Sequence, residues 1–200
     1  AQTPGGTGAL RVAADFFLRA APKATVWLSN PSWANHQAIF EAAGFPVKDY
    51  RYYDKASQGL DSEGFMADLE GVAEGDIVIL HGCCHNPSGI DLDQTAWEAI
   101  ATQAKAKNLI CLVDFAYQGF GEGLEEDRAG LHVLIDAGLS VLIASSFSKN
   151  FSLYSERIGT ITVVEETTND TINAFSHVQA AIRAIYSSPP AHGGKIVATI

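Results

Sequence analysis

Short apolar runs alternate with helix-like stretches along the whole of this 200-residue chain. The apolar runs predict six buried strands: Thr25–Leu28, Val47–Tyr52, Ile77–His81, Leu109–Asp114, Val141–Ala144 and Thr160–Val164. The stretches between them predict six helices, two of which follow the N-caps Asp61 and Asp93: Gly8–Ala20, Asn35–Ala43, Glu63–Val72, Gln94–Ala106, Arg128–Ala137 and Thr171–Ile185. This alternation favours an α/β fold with a mostly parallel central sheet and helices on both faces. No repeat or linker divides the chain, so residues 1–200 are expected to form one domain.

Composition and charge narrow the classes of function. A hydrophobic content of 47% and a charged content of 18% are typical of a globular protein rather than a disordered one. The net charge of −10 and the lack of a basic run argue against nucleic acid or an anionic membrane surface as the main partner. No apolar stretch reaches transmembrane length. Three cysteines, two of them adjacent, form a poor disulfide framework and favour a reducing, cytoplasmic setting.

Chemically active side chains lie at the ends of several predicted strands. In a parallel sheet the carboxyl ends of the strands meet at one edge, and ligands bind there. Four of these ends carry such side chains. They are the aromatic ring of Trp33, the amide of Asn86, the carboxylate of Asp114 with the phenol of Tyr117, and the amine of Lys149. A structural role alone does not require such a set. The sequence therefore predicts a ligand site at this edge of the sheet.

Lys149 is the most informative of these residues. It follows the apolar run Val141–Ala144, and a lysine there can enter a partly dry pocket, where its pKa falls and its amine forms a Schiff base with a carbonyl. A solvated loop lysine is the ordinary alternative, but the neighbouring strand ends in Asp114. A buried acid needs a cation or a donor. Asp114 is therefore interpreted either as the partner of a protonated ring nitrogen or as a solvated cap.

Three further features have both a structural and a functional interpretation. The glycine-rich segment Pro4–Gly8 precedes a helix and is either an anion site built from backbone N–H groups or an ordinary turn. No strand is visible before this helix. Trp33 is either a core aromatic or a plate that stacks on a flat ring. His36 is either a satisfied core histidine or the residue that orients Asp114.

Three other kinds of site are disfavoured. His81 and His85 suggest a metal site, but an extended chain would place them about 13 Å apart at roughly 3.3 Å per residue, and no second Cys/His cluster supplies further ligands. No metal is therefore expected. Cys83 and Cys84 have no evident activating base. Ser148 does not lie in the GxSxG turn of a serine hydrolase.

A phosphate cradle, a stacked ring, a paired acid and a Schiff-base lysine together describe pyridoxal 5'-phosphate as the cofactor. The chain also resembles the aspartate and aromatic amino acid aminotransferases, which are fold-type-I pyridoxal-phosphate enzymes of the class I aminotransferase family. The resemblance covers essentially the whole chain. Six segments carry it: Gly5–Leu10, Asn30–Trp33 with His36, His81–Gly89, Asp114–Phe120, Ser146–Phe151 and Tyr154–Gly159.

The resemblance implies a role for each residue around the cofactor ring. Lys149 would hold the cofactor as a Schiff base and then move the proton of the substrate. Asp114 would keep the ring nitrogen protonated. Tyr117 and Asn86 would donate hydrogen bonds to the phenolic oxygen of the ring, and Trp33 would stack on its face.

The resemblance also implies the sites for the phosphate and the substrates. Gly6, Thr7, Ser146 and Arg157 would hold the phosphate. Asn86 would contact the α-carboxylate of the substrate. Arg183 matches an arginine that binds the distal carboxylate of a dicarboxylate across a dimer interface. The planar guanidinium of arginine suits that task because it forms two parallel hydrogen bonds to a carboxylate. The implied reaction is transamination of aspartate, aromatic amino acids or both with 2-oxoglutarate, in a homodimer with shared active sites.

Family members are longer than this chain. We therefore expect residues 1–200 to be the cofactor-binding large domain, truncated at both ends, without the N-terminal arm and most of the small C-terminal domain. The arginine that clamps the α-carboxylate would then be missing. Two alternatives stay open: a fragment that binds the cofactor without turnover, and another fold-type-I enzyme such as a decarboxylase or β-lyase. Ser188 is similar to the aromatic branch and Thr7 to the aspartate branch, so the substrate preference also stays open.

Overall fold

A computed structural model describes residues 1–200, which contain nine strands and seven helices. The strands are β1 (Gln2–Pro4), β2 (Val26–Asn30), β3 (Val47–Arg51), β4 (Tyr53–Asp54), β5 (Gly59–Leu60), β6 (Ile77–His81), β7 (Ile110–Phe115), β8 (Val141–Ser146) and β9 (Ile158–Val164). The helices are α1 (Gly5–Ala20), α2 (Ala34–Ala42), α3 (Ser62–Gly71), α4 (Gln94–Ala106), α5 (Ala129–Asp136), α6 (Thr168–Ile185) and α7 (Ala191–Thr199), with a short 3-10 helix at Glu126–Arg128. None of the helices is long and apolar enough to cross a membrane.

Seven of the strands form one central sheet in the order β1-β9-β8-β7-β6-β2-β3. The pairs from β8 to β3 are all parallel, whereas β9 runs antiparallel to β8 and β1 antiparallel to β9. The predicted mostly parallel α/β sheet is therefore confirmed. Strands β4 and β5 form a separate two-stranded hairpin. The parallel strands place their carboxyl ends at one edge of the sheet, as the sequence predicts.

Helices cover both faces of the sheet and divide the core into two layers. Helices α1, α2 and α6 pack on one face, and α3, α4 and α5 pack on the other. Successive side chains of a strand point to opposite faces. In β6, accordingly, Ile77 and Ile79 enter the first layer while Val78 and Leu80 enter the second. This burial on both faces explains why the central strands are continuous apolar runs.

The two predicted helix N-caps are confirmed. Oδ1 of Asp61 accepts a hydrogen bond from the backbone N–H of Gly64 at 2.9 Å, at the start of α3. Oδ1 of Asp93 accepts one from Ala96 N–H at 2.8 Å, at the start of α4. Each carboxylate satisfies an N–H group that has no partner within the helix.

The beginning of the chain differs from the prediction. Strand β1 precedes α1, although the sequence showed no strand there, and α1 begins at Gly5 rather than at Gly8. The strand is only three residues long and forms because it pairs with β9, with Thr3 opposite Gly159. Gly5 has φ +72, and a Cβ there would lie 2.5 Å from an Nη atom of Arg157. Glycine is therefore required at this turn. Helix α7 and the hairpin were not predicted either.

Candidate active site

A cavity of about 200 Å³ opens at the carboxyl edge of the sheet. It lies where β2, β6, β7 and β8 end, and the first turn of α1 closes one side. Nine residues with predicted roles line it together: Gly6, Thr7, Trp33, Asn86, Asp114, Tyr117, Ser146, Lys149 and Arg157. The residues at the ends of β2, β6, β7 and β8 were predicted to share one edge because those strands are parallel neighbours, whereas Gly6, Thr7 and Arg157 were expected there from the family resemblance. Two other predicted residues, His36 and Arg183, do not line the cavity.

Asp114 is a buried acid in the cavity wall and is only 7% exposed. It lies in β7, opposite His81 in the register of the sheet. Its Oδ2 is 2.8 Å from Nε2 of His36, which is fully buried in α2 behind the cavity. Because an unpaired acid is costly to bury, this contact stabilises Asp114 in the wall. The structure places His36 where the sequence-based interpretation needs it, in contact with Asp114.

A chain of hydrogen bonds continues behind this pair and assigns the tautomer of His81. The backbone N–H of Asn86 can only donate, so Nδ1 of His81, at 3.3 Å, is its acceptor. Burial, followed by the charges of two other histidines, lowers the pKa of His81 to about 2, so its proton is on Nε2. That proton points to Oγ of Ser32 at 3.3 Å, and the same Oγ lies 3.0 Å from Nδ1 of His36. The other ring nitrogen of His36, Nε2, faces the Asp114 carboxylate, which accepts from it.

Lys149 and Tyr117 meet across the cavity. Nζ of Lys149 lies 4.5 Å from the centroid of the Tyr117 ring, within the range of a cation–π contact. Tyr117 follows β7, and Lys149 follows β8, its neighbour in the sheet. The partly buried Lys149 thus places its amine against an aromatic face in the cavity wall. No carboxylate forms an ion pair with it.

The N-terminus of α1 forms a cradle for an anion. The first turn of this helix contains no acidic residue, and its free N–H groups carry partial positive charge. A Cβ added to Gly6 would lie 3.0 Å from Cβ of Ser146, so the glycine keeps space open between the helix and β8. Arg157 adds a guanidinium beside the same turn. The N-terminus of a helix, a hydroxyl such as that of Ser146 and a guanidinium such as that of Arg157 are groups that bind phosphate in proteins.

Trp33 is the aromatic wall of the cavity. It is partly buried, packs against the core layer of α1, and forms the N-cap position of α2. Its ring meets the ring of His36 edge to face, with centroids 5.3 Å apart and an interplanar angle of 88°. The indole is therefore fixed in orientation by the residue that also holds Asp114.

The expected separation of His81 and His85 is wrong. Their ring centroids are 4.2 Å apart, because the chain turns back at Cys84, which has φ +49. Each ring nitrogen of His85 is also engaged, with Ser29 Oγ at 2.8 Å and Ser88 Oγ at 2.7 Å. No group of three or more His, Cys, Asp or Glu side chains is arranged to hold a metal ion.

Cys83 and Cys84, in the loop after β6, are not activated as nucleophiles. Burial, followed by the negative charge of Asp127, raises the pKa of the Cys83 thiol. The pKa of the Cys84 thiol is also raised, mainly by burial. Cys83, Cys84 and Cys111 are all free. Since the thiolate is the nucleophile, these residues have the wrong protonation state for covalent catalysis at neutral pH.

Arg183 lies apart from the cavity. It is exposed on α6, and its Nη1 donates to Oγ of Ser187 at 2.6 Å. It has no carboxylate partner in the chain. Its predicted role in a neighbouring subunit's site stays a prediction.

The cavity also contains residues to which the sequence assigned no role: Leu10, His81, Cys83, Ala116, Ser148 and Tyr154. All six lie in segments that carry the family resemblance, and two had a further signal, since His81 ends a predicted strand and Ser148 immediately precedes Lys149. Tyr154 had no signal beyond the resemblance. It is 58% exposed and reaches the cavity through the loop between β8 and β9, whose path depends on tertiary structure.

Comparison with known proteins places the chain among aminotransferases. The family model for class I and II aminotransferases matches residues 1–200. An aspartate aminotransferase of Salmonella typhi is 52% identical over 200 residues, which are 100% of this chain and 50% of that protein. An aromatic-amino-acid aminotransferase of Escherichia coli (strain K12) is 45% identical over 199 residues, again 100% of this chain and 50% of the relative. The chain therefore spans about half the length of the curated relatives it matches.

A solved structure shows the same fold. The aromatic-amino-acid aminotransferase from Burkholderia pseudomallei, in a crystal structure covalently bound to pyridoxal phosphate, superposes with a TM-score of 0.98 at 46% identity. The match covers 100% of this chain and 50% of that chain. The architecture that carries the cavity is thus common to both proteins.

Proposed function

Because the chain belongs to the class I and II aminotransferase family, we propose that it is the cofactor-binding domain of a pyridoxal 5'-phosphate-dependent aminotransferase. The whole protein would transfer an amino group between an amino acid and a 2-oxo acid. One observation carries the proposal: a single cavity contains an amine, a buried acid and an anion cradle. These groups fit the aldehyde, the ring nitrogen and the phosphate of the cofactor, respectively.

The cradle fits a phosphate for a steric as well as an electrostatic reason. Gly6 and Thr7 lie at the N-terminus of α1, and a side chain at Gly6 would intrude on Ser146. Ser146 contributes its hydroxyl, and Arg157 contributes a planar guanidinium that pairs bidentately with phosphate oxygens. We assign the phosphate to these four residues.

The cofactor, when bound, supplies an electron-accepting ring that stabilises the charge left when the α-proton of the substrate is removed. The residues of the chain then have separate tasks. The Asp114 carboxylate holds a proton at the ring nitrogen, and His36 orients that carboxylate. Lys149 would hold the cofactor covalently through its amine and, once the amine of the substrate has replaced it there, the freed amine would move a proton at the α-carbon of the substrate.

Three more residues orient the ring and the substrate. Trp33 stacks on one face of the ring and excludes water from it. Tyr117 and Asn86 donate hydrogen bonds to its phenolic oxygen, and Asn86 also contacts the α-carboxylate of the substrate. The contact between Tyr117 and Lys149 supports this arrangement, because it places the phenol beside the amine.

The assembly and the substrates are part of the same proposal. We propose a homodimer in which Arg183 of each subunit reaches the site of the other and binds the distal carboxylate of aspartate or 2-oxoglutarate. The exposed position of Arg183 supports a role outside its own cavity. The relatives include both aspartate and aromatic amino acid aminotransferases, so we propose amino acids of one or both classes as substrates. The free cysteines support a reducing, cytoplasmic setting.

A second candidate function is cofactor binding without turnover. The chain spans about half of its relatives, and the remaining half would have to complete the substrate site. We therefore expect residues 1–200 to bind the cofactor whether or not they transaminate.

A titration tests both candidates. Pyridoxal 5'-phosphate added to the wild-type chain should produce a visible absorbance band that the Lys149→Ala variant lacks. Lys105→Ala is the matched control, because Lys105 is exposed on α4 and its amine donates to the carbonyl of Ala137, outside the cavity. Loss of the band on adding aspartate or phenylalanine indicates transamination, whereas a stable band indicates binding alone. A wild-type chain that forms no band contradicts the proposed function.

A further inference from the structure

The loop after β6 depends on a carboxylate that lies outside the cavity. This loop, Cys83–Ser88, brings Cys83 and Asn86 into the cavity wall. Oδ2 of Asp91 accepts a hydrogen bond from Cys84 N–H at 2.7 Å, and Oδ1 accepts one from His85 N–H at 2.7 Å. Both distances are typical of charge-assisted hydrogen bonds. One side chain thus binds two consecutive backbone donors.

The backbone of this loop needs such support. Cys84 has φ +49, a left-handed conformation that residues with a Cβ rarely adopt. A turn of this kind directs consecutive N–H groups to one point and forms a small anion site. The carboxylate of Asp91 supplies the anion from within the chain. The conformation is therefore held by a specific partner and does not follow from local preference.

The supported residues connect directly to the candidate active site. His85 is followed by Asn86, whose backbone N–H donates to Nδ1 of His81 at 3.3 Å. That hydrogen bond begins the chain that ends at Asp114. The ring of His85 is also fixed, stacked on Tyr52 with centroids 3.9 Å apart. The ring of His85 thus has its own contacts, and Asp91 holds the backbone at Cys84 and His85.

We propose that Asp91 is a positioning residue for this site. Its carboxylate holds the turn at Cys84 and His85 so that Asn86 presents its side chain to the cavity and its N–H to His81. Asp91 does not line the cavity and therefore acts only through the loop. The effect on the cofactor rests on the proposed function, whereas the effect on the loop does not.

Asp93 provides a matched control two residues away. It also accepts a backbone hydrogen bond, from Ala96 at 2.8 Å, but this bond caps α4 and does not reach the loop. Asp93→Ala and Asp91→Ala each remove one exposed carboxylate and the same charge. Only Asp91→Ala should disturb the site. Asp91→Asn, which keeps one acceptor oxygen, is measured in parallel so that a folded variant is available.

Amide hydrogen exchange gives the readout that needs no cofactor. In Asp91→Ala we expect the N–H of Asn86 to exchange at least about tenfold faster than in wild type and in Asp93→Ala, because the loop opens more often. The affinity for pyridoxal 5'-phosphate should also fall about tenfold or more, since small displacements of positioning groups have large effects. Asp93→Ala should keep the wild-type affinity.

The outcomes separate this proposal from the proposed function. If the N–H of Asn86 exchanges equally fast in Asp91→Ala and Asp93→Ala, Asp91 does not hold the loop and the proposal is wrong. If exchange increases but both variants bind the cofactor equally well, Asp91 supports the loop without positioning the site, which also overturns it. A wild-type chain that binds no cofactor rejects the proposed function, while the exchange comparison still decides whether Asp91 holds the loop.

Discussion

Nε2 of His36 lies 2.8 Å from Oδ2 of Asp114, and neither side chain is more than 7% exposed. The ring of His36 is also fixed from behind, since its Nδ1 lies 3.0 Å from Oγ of Ser32. A carboxylate held in this way has a fixed direction. It faces the cavity with its charge available to a positively charged group of a ligand.

Asp114→Asn should weaken cofactor binding without unfolding the protein. The amide oxygen can still accept from His36, so the core contact persists, but the ionic hydrogen bond to a protonated ring nitrogen is lost. Such a bond contributes about 1.5–3 kcal/mol, so we expect the dissociation constant of pyridoxal 5'-phosphate to rise roughly ten- to hundredfold. Absorbance titration measures this constant.

Asp76→Asn is the control for that substitution. Asp76 is equally buried and accepts from Thr25 N–H and Trp27 Nε1, far from the cavity lining. This variant should lose stability and keep the wild-type affinity for the cofactor. Equal affinities of Asp114→Asn and wild type would show that Asp114 does not contact the ring nitrogen.

Arg157→Ala should reduce the selectivity of the chain for the phosphorylated cofactor. The ratio of the affinities for pyridoxal phosphate and pyridoxal should fall about tenfold or more, because a charge-assisted pair to the phosphate is removed. Arg51→Ala is the control, since Arg51 pairs with Asp68 outside the cavity. An unchanged ratio in Arg157→Ala would place the phosphate elsewhere.

Asp127 should make the stability of the protein depend on pH. Burial raises the pKa of this carboxyl, but hydrogen bonds from four backbone N–H groups outweigh that effect and lower the pKa. The four donors are Glu122 at 2.8 Å, Gly119 at 2.7 Å, Gly121 at 3.1 Å and Gly123 at 3.3 Å. A folded pKa below the unfolded value of about 3.9 stabilises the protein above that pH, and the contribution is lost as the pH falls through the folded pKa.

Asp127→Asn tests this dependence. At pH 7 the variant should have a free energy of unfolding lower by about 1–3 kcal/mol, because some of the donors lose their acceptor. Urea denaturation at a series of pH values should show that the difference in free energy of unfolding between wild type and Asp127→Asn becomes smaller below about pH 4. A gap that is constant between pH 7 and pH 3 would mean that the carboxylate charge contributes nothing.

The sequence predicted those parts of the fold that local patterns determine. Strand β6 and helix α4 begin and end at the predicted residues, since β6 consists of four apolar residues followed by His81 and Asp93 caps α4. Strand β1 was not predicted because three residues carry no periodic signal and pair only once β9 is in place. Helix α7 was not predicted either, and it packs against β9, where Gly193 lies close to Ile158.

The candidate site divides in the same way. The residues at the strand ends could be placed together because parallel neighbours share an edge. The close approach of His81 and His85 could not, because it depends on the left-handed turn at Cys84. Nor could the role of Asp91, whose hydrogen bonds go to backbone groups that leave no mark in the sequence.

Arg183 should act in the site of a partner subunit. In the proposed homodimer, built from a chain that spans the whole length of the relatives, mixing Lys149→Ala subunits with Arg183→Ala subunits should restore activity toward dicarboxylates. One site of each hybrid then has both its own Lys149 and the partner's arginine, as a two-fold arrangement requires. Hybrid formation is confirmed by differential tagging. If confirmed hybrids stay inactive, Arg183 belongs to its own subunit's site or to no site.

Covalent labelling of Lys149 tests the central claim most directly. The wild-type chain is mixed with pyridoxal 5'-phosphate, reduced with borohydride, digested and mapped by mass spectrometry. We predict one labelled peptide, with the added mass on Lys149, and no such label in a chain carrying Lys149→Ala. Labelling of Lys105 or Lys107 in place of Lys149, or no labelling at all, would contradict the assignment of this cavity as the cofactor site.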